Sequence, residues 1–164
     1  MLVPDGRVPV HMDYALRLTG RAEPRVCVLN TANGDDPQWA LRMYDRFAGR
    51  PARLSHLALF PMPNVADPED LLLSQDVIFV GGGSVANMLA VWRVHGLDRI
   101  LRKAWQAGIV LAGSSAGGIC WFGGEPRIRS AVNCAPLPTA WGCWPGATAR
   151  TTIPSRTGGR CTTG

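Results

Sequence analysis

Short runs of apolar residues, many of them β-branched, alternate with amphipathic segments along most of the chain. The apolar runs predict four strands, at residues 25–30, 53–60, 76–80 and 108–112. The amphipathic segments predict helices at residues 8–18, 36–47, 67–73, 84–93 and 97–107, with a last one reaching residue 122. Because helices between strands require crossover connections, the pattern predicts an α/β fold, a doubly wound, mostly parallel sheet with helices on both faces.

This pattern stops after Gly123, and residues 124–164 show no helical or strand period. We therefore expect two regions, an α/β domain over residues 1–123 and an irregular tail over residues 124–164. The tail also explains the net charge of +5, because residues 126–164 hold five arginines and no acid. The remaining chain carries 17 − 5 = 12 basic and 12 acidic residues. A neutral body and a tail without a recognised motif do not favour a nucleic-acid partner.

Composition limits the remaining possibilities. Apolar residues make up 46% and charged residues 18% of the chain, as in a globular protein. We expect a cytoplasmic location and no membrane partner, because no apolar run is long enough to cross a bilayer and no signal pattern opens the chain. The five cysteines lack metal-ligand spacing, so neither a metal nor another cofactor is expected. The oligomeric state cannot be predicted from the sequence.

A serine lies between two glycines where the fourth predicted strand ends. Residues 113–117 read G-S-S-A-G, which fits the G-x-S-x-G pattern between a strand and a helix. In that context a tight turn presents Ser115 outward as a nucleophile, and the amide of Ala116 is placed to stabilise an oxyanion. The alternative is a tight turn built from small residues with no chemical role.

Three consecutive glycines, residues 81–83, follow the third predicted strand. Glycines allow a ligand to approach the backbone closely, so the amides of Gly82 or Gly83 are candidates to complete an oxyanion hole. A phosphate-binding turn and a plain flexible loop are the alternatives. The spacing excludes the G-x-G-x-x-G dinucleotide fingerprint.

These motifs resemble the peptidase E family when read with their surroundings. The likeness includes V-I-F-V-G-G-G-S-V-A-N-M, the later V-L-A-G-S-S-A-G-G and the turn T-A-N-G-D-D. It implies a class I glutamine-amidotransferase-like (flavodoxin-like) sandwich and a serine peptidase acting on short peptides. It further implies Ser115 as nucleophile, with the glycine-turn amides and Ala116 as oxyanion donors. Ser84 and Val85 depart from the family, which usually has Asn and Thr there.

The sequence lacks a histidine at the place where the family has its general base. In the family the catalytic histidine follows the nucleophile, whereas His11, His56 and His95 all precede Ser115. A serine nucleophile needs a base, so we expect impaired catalysis. The alternative is an inactive remnant, or an α/β domain that binds a small molecule or a peptide.

A shifted reading frame offers an explanation for the tail. If the codons of residues 124–164 are read in a frame shifted by one base, they can encode a sequence that contains C-P-H-Y-D, which is similar to the family's histidine turn. We therefore expect a frameshift near Gly123. The family also begins with a further strand that residues 1–10 do not show, so we expect the domain to be incomplete, truncated at its N-terminus and missing a central strand.

Overall fold

The computed structural model of the chain describes residues 10–121. The predictions of an irregular tail over residues 124–164 and of a frameshift lie outside the described residues. So does the predicted beginning of the first helix at residue 8.

The described part contains one sheet whose four strands are all parallel. Their order across the sheet is β2-β1-β3-β4. The strands are β1 (Arg25–Leu29), β2 (Arg53–Leu57), β3 (Val77–Val80) and β4 (Val110–Gly113). The α/β class and the parallel sheet predicted from the sequence are confirmed. The prediction that a strand is missing at the N-terminus stays a prediction, because residues 1–9 lie outside the described part of the chain.

Helices connect the strands as the sequence predicts. They are α1 (Val10–Leu18), α2 (Pro37–Phe47), α3 (Pro68–Leu73), α4 (Val85–Val94), α5 (Leu97–Gln106) and α6 (Ala116–Ile119), with a 3-10 helix at Thr31–Asn33. Asp36 caps α2, accepting from the Gln38 amide at 3.0 Å. Asp67 caps α3, accepting from the amides of the second and third helical residues. Each cap precedes a proline, whose missing N–H is not needed at the first helical position.

Several predicted boundaries differ from the observed ones by one to three residues, among them the start of β4 at Val110, the end of α6 at Ile119 and the end of the second strand. The second strand was expected to reach Phe60, yet β2 ends at Leu57. The carboxylate of Asp35 accepts hydrogen bonds from the amides of Leu59, at 2.6 Å, and Phe60, at 3.2 Å. Because this side chain engages the two amides, the segment leaves the sheet and turns toward the loop after β1.

Helices pack on both faces of the sheet. One core lies beneath α1 and α2 and contains Met12, Ala15, Val26, Val28, Met43, Phe47, Val77 and Phe79. The other lies beneath α3, α4 and α5 and is centred on Trp92, Ile78, Val80 and Leu101. Successive strand residues point to opposite faces, which is why neighbours in β1 and β3 divide between the two cores.

The carboxyl ends of the four strands lie at one edge of the sheet, because all four are parallel. The loops that begin at Asn30, Ala58, Gly81 and Ser114 therefore share that edge. Functional residues of open α/β sheets collect at this edge. The pairing of Val80 with Gly113 places the glycine turn beside the G-S-S-A-G segment.

Candidate active site

Ser115 has an unusual backbone conformation at the junction between β4 and α6. Its φ and ψ angles are 52° and −118°. Among the described residues, only Asp35 and Ser115 combine a positive φ with a side chain. The serine is exposed and directly precedes Ala116, the first residue of α6. A sharp strand-to-helix bend with an exposed serine at its tip is the geometry that a nucleophile elbow requires.

The glycines of the motif are required by close backbone packing. A side chain at Gly113 would overlap the carbonyl oxygen of Gly117. A side chain at Gly117 would overlap the carbonyl oxygen of Val80 at the end of β3. The Ser114 amide also donates to that oxygen, at 3.1 Å. The elbow is therefore pressed against the end of the neighbouring strand, and only glycine fits at both flanking positions.

The glycine turn lies directly against the serine. A Cβ atom added at Gly82 would be 3.1 Å from the Ser115 Cβ and 3.6 Å from its Oγ. Thus the structure brings together two residues that the sequence placed in separate motifs, 33 positions apart. Ala116 follows the serine and is buried, whereas the Cα of Gly83 packs against the carbonyl of Ala32.

Three backbone amides at this junction have no acceptor within the described part of the chain. They belong to Gly82, Gly83 and Ala116. The amides that follow in α6 are engaged, since Gly117 donates to Ser114 and Gly118 to Ser115. An unpaired amide beside a reactive serine is the group that stabilises an oxyanion in acyl transfer.

Both ends of the glycine turn are held by the segment that follows β1. The Gly81 amide donates to the carbonyl of Leu29 at 2.8 Å. The Ser84 amide donates to the carbonyl of Ala32 at 2.7 Å. Ser84, which departs from the family pattern, also caps α4 by accepting from the Asn87 amide at 3.3 Å. This residue therefore has a structural role at the beginning of the helix.

None of the three histidines, all of which lie in the described part, is hydrogen-bonded to Ser115. His56 is held on β2 by the Tyr44 hydroxyl, at 3.0 Å, and by Asn64. Two strands separate β2 from β4, a distance on the order of 14 Å. His95 is the C-cap residue of α4.

His11 lies on α1 and packs against the sheet. Its ring stacks on Phe79 of β3, with the ring centroids 5.4 Å apart. Burial lowers the pKa of His11, so the imidazole is largely neutral at neutral pH. No hydrogen bond joins this ring to Ser115 in the described structure.

Cys120 is a second nucleophilic side chain close to Ser115 in the chain. Burial raises the pKa of the Cys120 thiol, at the end of α6, to about 12, which keeps the sulfur protonated and weakly nucleophilic. Within residues 10–121, no group of three or more His, Cys, Asp or Glu side chains is arranged to hold a metal ion.

One residue of this region was not predicted from the sequence. Asn30 directly follows β1, is 5% exposed and has no hydrogen-bond partner for either atom of its side-chain amide in the described structure. Its Oδ1 lies beside Gly81. A polar residue directly after a buried parallel strand is the signal that could have identified it.

Comparison with known proteins agrees with this geometry. The model of peptidase family S51 matches residues 6–131, which is most of the chain. The chain belongs to peptidase family S51. The prediction of a peptidase E relative is thereby confirmed, and the match includes both glycine-rich segments of the site.

A curated family S51 relative and a solved structure extend the comparison. The chain is 46% identical over 109 residues to the uncharacterized peptidase YgaJ of Bacillus subtilis (strain 168), covering 66% of this chain. It spans 47% of that relative, about half of its length. A crystal structure of a candidate peptidase E protein from Listeria monocytogenes EGD-e superposes with a TM-score of 0.52 at 18% identity. That superposition covers 65% of this chain and 55% of the other, and it shows a shared fold.

The family S51 domain shows no membrane-spanning element in its described part. None of the helices between residues 10 and 121 has the length and apolar character needed to cross a bilayer. The longest of them, α2, has 11 residues, whereas a spanning helix needs about 20.

Proposed function

We propose that this chain carries the nucleophile half of a serine-type peptidase site that acts on short peptides. Family S51 membership supports peptidase chemistry. The observation that carries the assignment of Ser115 is its exposed position at a positive-φ elbow, with Gly82 packed against it. An ordinary tight turn of small residues would need neither the strained serine nor the adjoining turn of unpaired amides.

In the proposed reaction, the Ser115 Oγ attacks the carbonyl carbon of a peptide bond and forms a C–O bond. The hydroxyl proton passes to a general base as the carbonyl oxygen becomes an oxyanion. The amides of Gly82 or Gly83 and of Ala116 stabilise that oxygen. Collapse of the intermediate breaks the C–N bond, and the amine leaves with a proton. Water then hydrolyses the acyl-serine and restores the hydroxyl.

No general base for Ser115 is identified among the described residues. His11, His56 and His95 are the histidines in the sequence, and none is hydrogen-bonded to the serine in the described structure. We therefore propose that hydrolysis by this chain is impaired. A serine and an oxyanion hole without a base leave only residual acceleration over water, on the order of 10³- to 10⁴-fold.

A serine-directed fluorophosphonate tests the nucleophile without requiring turnover. We expect the probe to label the purified full chain slowly at Ser115, because no described histidine is placed to activate the hydroxyl, and the modified peptide is identified by mass spectrometry. Ser115→Ala should abolish labelling, because it removes the attacking oxygen. Ser114→Ala is the matched control, since it removes the adjacent hydroxyl and leaves the elbow serine in place.

Two results would argue against the proposal. Equal labelling of wild type and Ser115→Ala would show that the probe reacts elsewhere. A folded wild-type protein that is not labelled would favour the second candidate, an inactive family member that binds a peptide or small molecule at the same edge. That candidate is favoured by the lack of a hydrogen bond between Ser115 and any described histidine.

A further inference from the structure

Asn30 is an exception to the way polar groups are buried in this domain. Its side chain is 5% exposed, yet neither Oδ1 nor Nδ2 has a hydrogen-bond partner in the described structure. Buried polar atoms are almost always paired, because leaving them unpaired costs stability. Asn33, in the same loop, is exposed to solvent and shows the ordinary arrangement of such a residue.

The backbone of Asn30 does not explain why its side chain is buried. Its carbonyl oxygen accepts from the amides of Asn33, at 2.8 Å, and Asp35, at 3.1 Å, and so organises the turn after β1. Those bonds need only a backbone carbonyl, which most residues supply. The polar side chain therefore requires a separate explanation.

The side chain contacts the first residue of the glycine turn. A Cβ atom added at Gly81 would be 2.7 Å from Asn30 Oδ1 and 3.2 Å from Cζ2 of Trp39. The space that a side chain at Gly81 would need is thus filled by the Asn30 amide oxygen and the Trp39 indole. The next residue, Gly82, is the one that packs against Ser115.

Hydrogen bonds to the β1 loop hold the two ends of the turn but not its middle. Leu29 binds the amide of Gly81 and Ala32 binds the amide of Ser84, whereas the amides of Gly82 and Gly83 are unpaired in the described part. Asn30 lies between these two anchors in the chain. A polyglycine segment has high conformational freedom, so its position depends on its neighbours.

We propose that Asn30 is a positioning residue, whose buried side chain packs against Gly81 and keeps the turn of residues 81–83 in place, so that Gly82 stays against Ser115. The positioning of the glycine turn by Asn30 does not depend on the proposed function, whereas its effect on the reactivity of Ser115 does. Asn30 acts through the glycine turn, and it uses a polar side chain at a place where an apolar one would cost less to bury. A local exception to burial rules beside a reactive group is the usual mark of a functional position.

Amide hydrogen exchange tests the positioning role independently of any chemistry at Ser115. We would compare wild type, Asn30→Ala and the matched control Asn33→Ala as full chains, following peptides that contain residues 81–84. Asn30→Ala should raise exchange of the two hydrogen-bonded amides of that turn, Gly81 and Ser84, about tenfold or more, while exchange in β1 and β3 stays at the wild-type level. Asn33→Ala should leave all three regions unchanged.

The consequence for the site is measured by fluorophosphonate labelling. In Asn30→Ala the rate constant of labelling at Ser115 should fall about ten- to hundredfold, because small displacements of an oxyanion donor are costly. The urea midpoint of unfolding, measured in parallel, should stay close to that of wild type. If wild type is not labelled, the proposed function fails, and the exchange result still decides the role of Asn30.

Two outcomes would overturn the inference. Unchanged exchange of the turn in Asn30→Ala would show that the side chain does not hold it. A rise spread evenly over β1, β3 and the turn, with a lower urea midpoint, would assign Asn30 to general stability. Asn30→Ser serves as the second variant if alanine is not tolerated, and a failure of both to fold would count against positioning in the same way.

Discussion

At the scale of single residues, the site depends on backbone conformations that the surrounding packing imposes. Ser115 has a φ of 52°, a region that costs a non-glycine residue on the order of 1–3 kcal/mol. The elbow is held in place by the tight contacts of Gly113 and Gly117 with the adjoining backbone. The G-S-S-A-G segment lies between β4 and α6, where the sequence pattern predicted a tight strand-to-helix turn. The role of Ser115 as a nucleophile stays a prediction.

Gly82 provides a residue-scale test of the contact between the two turns. Its φ lies outside the left-handed region, so alanine fits the backbone, but the new Cβ would be 3.1 Å from the Ser115 Cβ. Gly82→Ala should therefore move the turn by a few tenths of an ångström. We expect fluorophosphonate labelling of Ser115 to slow about tenfold or more, with a change in unfolding free energy within about 1 kcal/mol.

Gly83 is the comparison for that experiment. It has a φ of 146°, and a Cβ there would overlap the carbonyl of Ala32. Gly83→Ala should lower the urea midpoint clearly, because the backbone itself would have to shift. Labelling of Gly82→Ala at the wild-type rate would contradict the idea that Gly82 controls access to Ser115.

At the scale of secondary-structure elements, local signals predicted most helices and strands. Capping aspartates and prolines predicted the beginnings of α2 and α3, since these bonds lie within a few residues of each other. The end of β2 could not be predicted in this way. The Asp35 carboxylate that engages the amides of Leu59 and Phe60 lies 24 and 25 positions earlier in the chain. Such a contact exists only after the loops have met.

An ion-pair cluster joins the amino ends of β1 and β3, at the edge opposite Ser115. The carboxylate of Asp76, whose side chain is 7% exposed, contacts Arg21 at 2.9 Å and Arg25 at 3.2 Å. It also accepts from the backbone amide of Arg25 at 2.8 Å. Burial alone would raise the pKa of Asp76, but the hydrogen bonds and charges of these arginines outweigh it and lower the pKa below its ordinary value.

This lowered pKa predicts a stability effect with a definite sign. The pKa of Asp76 in the folded state lies below its unfolded value of about 3.9. The ionised carboxylate therefore contributes fully to the free energy of unfolding above about pH 3.9, and this contribution is lost as the pH falls through the folded-state pKa. Asp76→Asn should cost about 1 kcal/mol at pH 7, a figure discounted because both arginines are partly exposed. The difference from wild type should shrink as the pH falls below the unfolded value of about 3.9, as followed by urea unfolding.

Glu23→Gln is the control for this prediction. Glu23 pairs with Arg53 at 3.5 Å, and both side chains are well exposed, so the change should have little effect on stability. If Asp76→Asn lowers the free energy of unfolding by the same amount at pH 7 and at pH 3, changed side-chain packing and not the lost charge would be responsible.

At the scale of the whole molecule, the described domain leaves apolar surface exposed. Three apolar residues spaced four apart on α1 are exposed: Val10 at 81%, Tyr14 at 58% and Leu18 at 55%.

The chain spans about half the length of its curated relative, covering 47% of it. The family model matches up to residue 131 of 164. The proposed frameshift near Gly123 stays a prediction.

Sequencing the DNA through codons 120–164 and beyond tests that prediction. We expect a one-base change near codon 123 that restores a frame encoding a C-P-H-Y-D segment after Ser115. Related genes that share the printed tail in an intact frame would rule it out. We would then expect a chain with the restored frame to hydrolyse short peptides. Comparing its peptidase activity with that of the printed chain would measure the effect of restoring the segment with the histidine.

By itself, the sequence determined the alternation of strands and helices, and hence a parallel sheet with its loops at one edge. It also determined the two glycine-rich turns, because hydrophobic period, capping and glycine spacing act over a few neighbouring residues. The tertiary structure alone decided that β3 lies between β1 and β4, which presses Gly82 against Ser115. It also decided that Asn30 is buried beneath the turn. Strand order and side-chain burial arise from contacts between distant parts of the chain, which a local pattern does not contain.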